Sequence, residues 1–564
     1  MPSLSDPVRQ AVEAWVAQDP DPQTRAETER LLAAADGSDP EEAAAAQAEL
    51  TDAFSGRLAF GTAGLRGRLG PGPNRMNRVV VTQAAAGLAA YLRDQVELRQ
   101  EYGATVLVGH DARHGSARFA RDTGEVLAAA GFEVLVTEGP VPTPVVAFGI
   151  RHLGCVAGVV VTASHNPAQD NGYKVYLGDG SQIVPPADAE IAARIDEVAR
   201  HPLGRVPRSD TYEPAGPHLL DAYAARAASL VPPDAPRELR WAYTPMHGVG
   251  GDLVLDLVAR AGFPAPAVVA EQARPDPDFP TVAFPNPEEP GAIDLALALG
   301  EQVDADVVVA NDPDADRCAV AARFPGPDGG WRMLTGDELG VLLGDDALRR
   351  GTVGTYACSV VSSTQLATVA AAYGQPSTTT LTGFKWIGRV PGLAFGYEEA
   401  IGYCVDPEAV RDKDGMTALV RVLALTAALK ASGQTVAGRL DEIATTYGVV
   451  LTGQLSVRVD DLGEITAAMA RLRAQPPATL AGEPVKVTDL SAGLGDLPPT
   501  DAVRLEGPTV RVVVRPSGTE PKLKAYLEAR LPLEQTQGLG ADRARARATL
   551  DRLRSEMRST LGLD

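Results

Sequence analysis

Val156-Ala157-Gly158-Val159-Val160-Val161-Thr162-Ala163-Ser164-His165-Asn166-Pro167 runs from an unbroken apolar half into a polar turn. The apolar half is short and valine-rich, the pattern of a strand buried on both faces. Ser164 then falls just past the strand's carboxyl end, where open α/β sheets build their ligand sites. A serine held there can act as a nucleophile or carry a phosphoryl group.

The same rhythm extends outward from this strand. Before it come a helical stretch over 79–96, a strand at 105–109, a helix near 116–130 and a strand at 132–137. The first 50 or so residues are polar and rich in alanine and acids, and read as exposed helices. After it, the proline-marked stretch 201–217 reads as a linker. A second set follows, with strands at 239–243, 267–270 and 306–310 and helices near 250–261 and 291–300. Helices near 336–348, 363–373 and 415–430 belong to a third. Such alternation predicts βαβ units and mostly parallel sheets. Beyond Val449, strands at 454–459, 485–489, 509–514 and 523–529 flank helices near 463–474 and 541–561, an α+β pattern. The expected fold class is therefore α/β: three similar mixed α/β domains (1–205, 206–330, 331–450) and a C-terminal α+β domain (451–564).

At 564 residues the chain exceeds what one core can serve. Its net charge of −21, with no dense basic stripe, argues against nucleic acid or an anionic membrane as partner. Four widely spaced cysteines, none in a C-x-x-C pair, argue against zinc and against a disulfide framework. There is no signal-like start. Arg421 interrupts the apolar stretch 416–429, so nothing approaches the ~18 uninterrupted apolar residues of a membrane span. A cytoplasmic location is expected.

Three further strings carry charge in useful places. Asn311-Asp312-Pro313-Asp314-Ala315-Asp316-Arg317 follows the apolar strand at 306–310. Alternate carboxylates there can converge on one hard cation, with Mg²⁺ preferred beside phosphate. An EF-hand is excluded, because Arg317 and Arg323 stand where glycine and glutamate are needed. Arg515-Pro516-Ser517-Gly518-Thr519 follows another strand and offers a guanidinium, hydroxyls and backbone N–H groups to a phosphate. Gly61–Gly67 presents Arg66 on a glycine-rich loop, and Gly396–Gly402 sets Glu398 and Glu399 where sugar hydroxyls could donate to them. Neither G-x-x-x-x-G-K-[ST] nor G-x-G-x-x-G occurs, so a nucleotide site has no support.

Together these strings resemble the α-D-phosphohexomutase superfamily, in the family's order and over nearly the whole chain. Ser164 matches the phosphoserine loop, Asp312, Asp314 and Asp316 the metal loop, Glu398 and Glu399 the sugar loop, and Arg515 to Thr519 the phosphate loop. The forms Leu381–Gly388 (containing Lys385), Glu398–Tyr403 and Asp412–Gly415 look most like the type-2 phosphoglucomutase and phosphopentomutase branch. His110, Asp111 and Arg113 match a further family string and are read as structural support.

The resemblance implies four domains around one central cleft and a mutase moving phosphate between C1 and C6 of glucose phosphate. Phosphoserine 164 would pass its phosphoryl group to a sugar monophosphate and regain one from the resulting sugar 1,6-bisphosphate, which also serves as activator. Mg²⁺ would sit on Ser164, Asp312, Asp314 and Asp316. Arg66, His165, Lys174 and Lys413 would surround the transferring group, with His165 or Lys413 moving the proton. Arg317, Lys385, Glu398, Glu399, Arg515, Ser517, Gly518 and Thr519 would hold substrate. The partners implied are small sugar phosphates, with the chain a monomer or homodimer. Ala400 departs from the serine that many relatives use on the sugar, so pentose and mannose phosphates stay open as substrates.

The charge balance asks for these cations in any case. Three carboxylates and a phosphoserine carry roughly −5 against +2 from one Mg²⁺. Other classes make different demands. A Mg²⁺-dependent sugar-phosphate phosphatase would carry the phosphoryl group on Asp312. An alkaline-phosphatase-type hydrolase needs more metal ligands than seven scattered histidines supply. A catalytically inert sugar-phosphate-binding protein would have no need of every charged loop.

Overall fold

The valine run becomes a strand, Ala157–Val161, with every residue buried. The computed structural model containing it describes residues 4–562, apart from 100–103, 326–328, 460–461, 496, 518–521 and 534–535. The chain forms two compact units, Met1–Ala319 with Asp406–Ala424, and Val320–Val405 with Leu425–Asp564.

In the first unit, β1 (Leu65–Arg68), β2 (Thr105–His110), β3 (Glu133–Thr137), β4 (Ala157–Val161), β5 (Asp170–Leu177) and β6 (Glu213–Ala215) form one sheet. Their order is β1-β5-β4-β2-β3-β6. The run from β4 to β6 is parallel, while β5 pairs antiparallel with both β4 and β1. Val106, Val108, Val159, Val161, Tyr173 and Val175 share one apolar core. The helix Thr143–His152 packs so closely on the sheet that a Cβ on Gly158 would lie 2.4 Å from Ile150 Cδ1. A second parallel set places β7 (Trp241–Thr244) between β8 (Ala267–Val268) and β9 (Val307–Ala310).

The second unit begins at Val320, within β10 (Ala319–Phe324), which forms a hairpin with β11 (Gly330–Met333). Next, β12 (Thr355–Ser359) runs parallel to β13 (Ser377–Thr380) and β14 (Leu393–Glu398), and β15 (Gly402–Cys404) returns antiparallel on β14. The last segment holds β16 (Val449–Arg458), the small pair β17 (Thr479–Leu480) and β18 (Glu483–Pro484), β19 (Lys486–Asp489), β20 (Val503–Glu506), β21 (Val510–Pro516) and β22 (Lys522–Leu531). Its main sheet is antiparallel, in the order β16-β22-β21-β20-β19. Met469 and Leu472 from one helix, and Leu553 and Met557 from another, join its core. The α/β class expected from sequence is the one observed.

Three local readings change. The first helices, Asp6–Gln18, Pro22–Ala35 and Pro40–Ala53, are not simply exposed, because Val12, Leu31, Ala46 and Leu50 make a small core of their own. The stretch read as a linker contains β6, which pairs with β3 through Leu135–Thr137. Strand β5 and the helix Thr143–His152 lacked a readable period; that helix is buried at every position from Thr143 to Ile150.

One buried acid makes stability depend on pH. Asp337 lies in the first turn of the helix Gly336–Arg349, which begins with a Thr335/Glu338 capping box. It accepts hydrogen bonds from the Ser363 N–H (2.6 Å) and the Tyr397 hydroxyl (2.9 Å), yet burial pushes its carboxyl up to about 6. A raised folded pKa means the native chain holds the proton more tightly than the unfolded chain. Its contribution is complete below the unfolded pKa and is lost as pH rises through about 6. Two pKa units set a ceiling of about 3 kcal/mol on that loss. Asp337→Asn keeps the shape without the ionisation, so the wild type should lose stability relative to the variant between roughly pH 4 and pH 6. Urea unfolding at several pH values measures this, and parallel profiles would contradict it.

Candidate active site

Ser164 follows β4 with φ +53°, a left-handed backbone that costs a non-glycine residue about 1–3 kcal/mol. Its N–H donates to Thr162 Oγ1 at 2.8 Å, which helps hold the turn. Its hydroxyl donates to Asp312 Oδ2 at 2.9 Å and lies 3.1 Å from His165 Nδ1. Burial, with Arg317 and Arg66 nearby, pushes the His165 imidazole well below its ordinary value, so it is neutral at pH 7.

The acidic string leaves β9 and turns tightly, with Ala315 also left-handed at φ +54°. Asp312, Asp314 and Asp316 are all buried. Asp312 Oδ1 accepts the Arg317 N–H at 3.0 Å. Asp314 Oδ2 accepts from Thr143 Oγ1 and from Lys174 Nζ, each at 2.7 Å. Asp316 Oδ2 takes Lys174 Nζ at 2.9 Å and pairs with Lys413 Nζ at 3.1 Å.

Burial opposes ionisation throughout this cluster. For Asp314 the Lys174 ammonium outweighs it, and for Asp316 both lysines and Arg317 do, so these two carboxyls stay below the usual range. For Asp312, burial and the charges of Asp314 and Asp316 outweigh Arg317 and push the carboxyl well up. Lys174 is held charged against its own burial by the two carboxylates.

The residues fit a hard divalent cation. One oxygen from each aspartate lies within 4.8 Å of the others. Asp314 Oδ1 and Asp316 Oδ1 are buried with no hydrogen-bond partner. Buried anionic oxygens without donors are costly unless they coordinate a metal.

Strand register delivers the cations. Lys174 stands on β5 opposite Val160 of β4, one residue before the turn begins to leave the sheet. Arg66 stands on β1 and donates to Asn166 Oδ1 at 3.1 Å. Lys413 comes from a turn braced on both sides. Asp412 accepts from the Tyr176 hydroxyl (2.7 Å) and Gln182 Nε2 (2.8 Å), and Asp414 accepts the Met416 and Thr417 N–H groups. A Cβ on Gly415 would lie 2.1 Å from the Arg317 carbonyl oxygen, so only glycine lets this turn meet the metal loop. The Arg317 side chain pairs with Glu288 at 3.4 Å.

The second unit makes its own cluster. Glu398 Oε1 accepts the Gly383 N–H at 2.7 Å, tying the sugar loop to the short helix Phe384–Ile387 that carries Lys385. Glu399 Oε2 accepts from Ser359 and Ser362 hydroxyls, each at 3.0 Å. Ile401 completes that turn at φ +52°, a strained position for a β-branched residue. Arg515, near the end of β21, hydrogen-bonds the Tyr526 hydroxyl; burial, then Glu399, pushes that phenol up. The Ser517 N–H donates to the Lys522 carbonyl at 2.8 Å. Gly518 and Thr519 lie outside the described residues.

The first unit thus gathers Ser164, His165, Arg66, Lys174, Lys413 and the three aspartates, with Arg317 at its edge. The second gathers Glu398, Glu399 and Arg515. Sequence reading missed Thr143 and Tyr526 and gave Asp412, within the string Asp412–Gly415, no role; these roles arise from tertiary contact. The gathered groups are what phosphoryl transfer asks of a protein: a nucleophile, charge neutralisation and alignment.

Comparison with known proteins agrees. Phosphoglucomutase/phosphomannomutase α/β/α domains I, II and III match residues 57–201, 220–324 and 335–447, and the C-terminal domain of that family matches 455–546. A Haemophilus influenzae protein named "Probable phosphomannomutase" is 47% identical over 81% of this chain and 93% of its own. A Schizosaccharomyces pombe protein named "Probable phosphoribomutase" is 37% identical over 93% of this chain and 94% of its own. A solved phosphoglucomutase/phosphomannomutase family protein from Burkholderia thailandensis shares the fold with a TM-score of 0.69 at 22% identity, covering 90% of this chain and 98% of that one. The chain is an intramolecular phosphotransferase acting on phosphosugars. It belongs to the phosphoglucomutase/phosphomannomutase family of the α-D-phosphohexomutase superfamily. Among the described residues, no single helix is long and apolar enough to cross a membrane.

Proposed function

We propose that Ser164 is the phosphoryl carrier of a mutase that interconverts glucose 1-phosphate and glucose 6-phosphate through glucose 1,6-bisphosphate. The observation that carries this is the 2.9 Å contact of Ser164 Oγ with Asp312, beside unpartnered oxygens of Asp314 and Asp316. Asp312, Asp314, Asp316 and the Ser164 oxygen would hold Mg²⁺, which supplies positive charge to the transferring group when bound.

The chain's own residues do the remainder. In the first transfer the phosphorus–Oγ bond of phosphoserine breaks as a bond forms to the free hydroxyl oxygen of the sugar phosphate. That hydroxyl's proton ends on Ser164 Oγ, and His165 Nδ1, 3.1 Å away, is placed to deliver it. In the second transfer the bisphosphate returns its other phosphoryl group to Ser164 and the proton retraces its path. Lys174, Lys413 and Arg66 set positive charge around the moving group. Glu398 and Glu399 accept from sugar hydroxyls. Arg515, Ser517, Gly518 and Thr519 grip the phosphate that is not reacting, with Lys385 and Arg317 adding charge.

Pentose phosphate is the second reading, favoured by the fission yeast relative's name and by Ala400 in the sugar loop. The test is kcat/KM for glucose, ribose and mannose 1-phosphates with catalytic bisphosphate and Mg²⁺ supplied. Glucose 1-phosphate is expected to lead by about tenfold, the scale of one well-placed contact. Equal or better ribose turnover would move the enzyme to pentoses. Peptide mapping after labelling with the bisphosphate is expected to place phosphate on Ser164; label on Asp312 would make it a phosphatase-type site.

A further inference from the structure

We propose that Arg113 is the positioning residue of the phosphoserine loop, and that the reactive shape of residues 164–170 depends on its guanidinium. This rests on Ser164 as the phosphoryl carrier. Arg113 lies in the turn after β2 and is buried. Its Nη2 donates to the carbonyl oxygens of Ser164 and Asn166, both at 2.6 Å. Its Nη1 donates to those of Pro167 (2.7 Å) and Asp170 (3.2 Å).

Four carbonyls of one seven-residue stretch therefore converge on a single cation. Without it their negative ends would face one another in a partly buried space, and among the described contacts only the Pro167 oxygen would keep a hydrogen-bond donor, the Asp170 N–H at 3.1 Å. The loop would have to open, and Ser164 would lose the left-handed backbone that aims its hydroxyl at Asp312.

The guanidinium is itself fixed from two sides. Asp111 Oδ2 pairs with Nε at 3.3 Å, and Asp111 Oδ1 accepts the Arg113 N–H at 3.0 Å. The Phe279 ring covers the guanidinium at 4.8 Å. Asp111 Oδ1 also accepts from the Ser116 hydroxyl, which in turn accepts from Asn171 Nδ2 at 2.9 Å. The far end of the loop is thereby tied to the same anchor. Lysine cannot replace this fork, because an ammonium has three donors and no plane to spread over four acceptors. Arg113 touches none of the three aspartates by a hydrogen bond among the described contacts, so it acts through the loop.

The experiment compares full-length wild type, Arg113→Ala, Arg113→Lys and Arg121→Ala. It reads kcat, KM, phosphate incorporated on Ser164 from the sugar bisphosphate, and thermal midpoint, with and without millimolar guanidinium. Arg113 lines a cavity of about 800 Å³, which gives the small cation a route to the vacated position. Arg121 is an exposed residue of the same cavity wall and serves as control, expected unchanged.

Arg113→Ala is expected to lose about 100-fold in kcat with KM changed by less than about threefold, the scale of a misplaced reacting group. Guanidinium should restore part of that loss, and should do nothing for Ser164→Ala. Arg113→Lys should stay at least about tenfold low at an unchanged thermal midpoint, and it carries the test if the alanine variant does not fold. A kcat within about threefold of wild type in Arg113→Lys overturns the proposal. So does a loss in Arg113→Ala that follows the unfolded fraction and ignores guanidinium. Wild type that takes no phosphate on Ser164 overturns the phosphoserine reading, and the clamp with it.

Discussion

Ser164→Ala is expected to lower kcat by at least about 10⁴-fold and to abolish phosphate incorporation from labelled sugar bisphosphate. The substitution removes the only hydroxyl that hydrogen-bonds Asp312 Oδ2 among the described residues. No neighbour replaces it chemically. Thr162 Oγ1 accepts the Ser164 N–H at 2.8 Å, and His165 offers an imidazole nitrogen rather than a hydroxyl. Alanine accepts the left-handed backbone no worse than serine, and the Arg113 contacts are to carbonyls, so the loop should persist. The thermal midpoint should therefore move by only a few degrees while turnover collapses, which separates lost chemistry from lost fold. Turnover within tenfold of wild type would mean that the phosphoryl group travels on another residue.

Removal of divalent cations is expected to have the next largest effect, a loss of at least about 10³-fold that Mg²⁺ reverses. Three buried carboxylates face two ammonium groups, and a phosphoserine adds about −2. At an effective dielectric near 20, two unit charges about 4 Å apart interact by about 4 kcal/mol, so an uncompensated phosphoserine here raises the barrier by several kcal/mol. Each ~1.4 kcal/mol is tenfold in rate. Asp314→Asn removes one anionic oxygen while leaving an acceptor for Thr143. It should raise the Mg²⁺ concentration needed for half-maximal turnover by about tenfold or more, since each carboxylate contributes both charge and a ligand. Titrations of kcat against Mg²⁺ after chelator treatment measure both effects. Full activity in chelator would remove the cation from the mechanism.

How much of this was legible in sequence follows from what each feature depends on. Strand β4 and strand β9 were readable because unbroken valine-rich runs have few other fates, and the chemistry sits where those runs end. Lys174 could be matched by resemblance, but nothing in Asp170–Leu177 announces a strand; its alternation is hidden because both faces are buried. The helix Thr143–His152 was missed for the same reason, and with it the hydroxyl of Thr143 on Asp314. Glu213–Ala215 looked like linker because a three-residue edge strand has too few positions to show a period. Asp412 lies far along the chain from Tyr176 and Gln182, and Tyr526 meets Arg515 across the pairing of β21 with β22; such contacts are decided by packing and strand register rather than by neighbours in sequence. Arg113 is the sharpest case. Its string was recognisable, but its four acceptors are backbone atoms, which no side-chain pattern can reveal.

The antiparallel pairing of β4 with β5 has one more effect. Val160 faces Lys174 across that pair, and the residues joining the two strands are the phosphoserine loop itself. Side chains alternate along a strand, so slippage by a single position would swing the ammonium into the apolar core and put Val175 in its place. Loop length is thus counted by the hairpin as well as by the nucleophile. A residue added to this turn or taken from it disturbs both at once, since scaffold and chemistry are measured on one ruler.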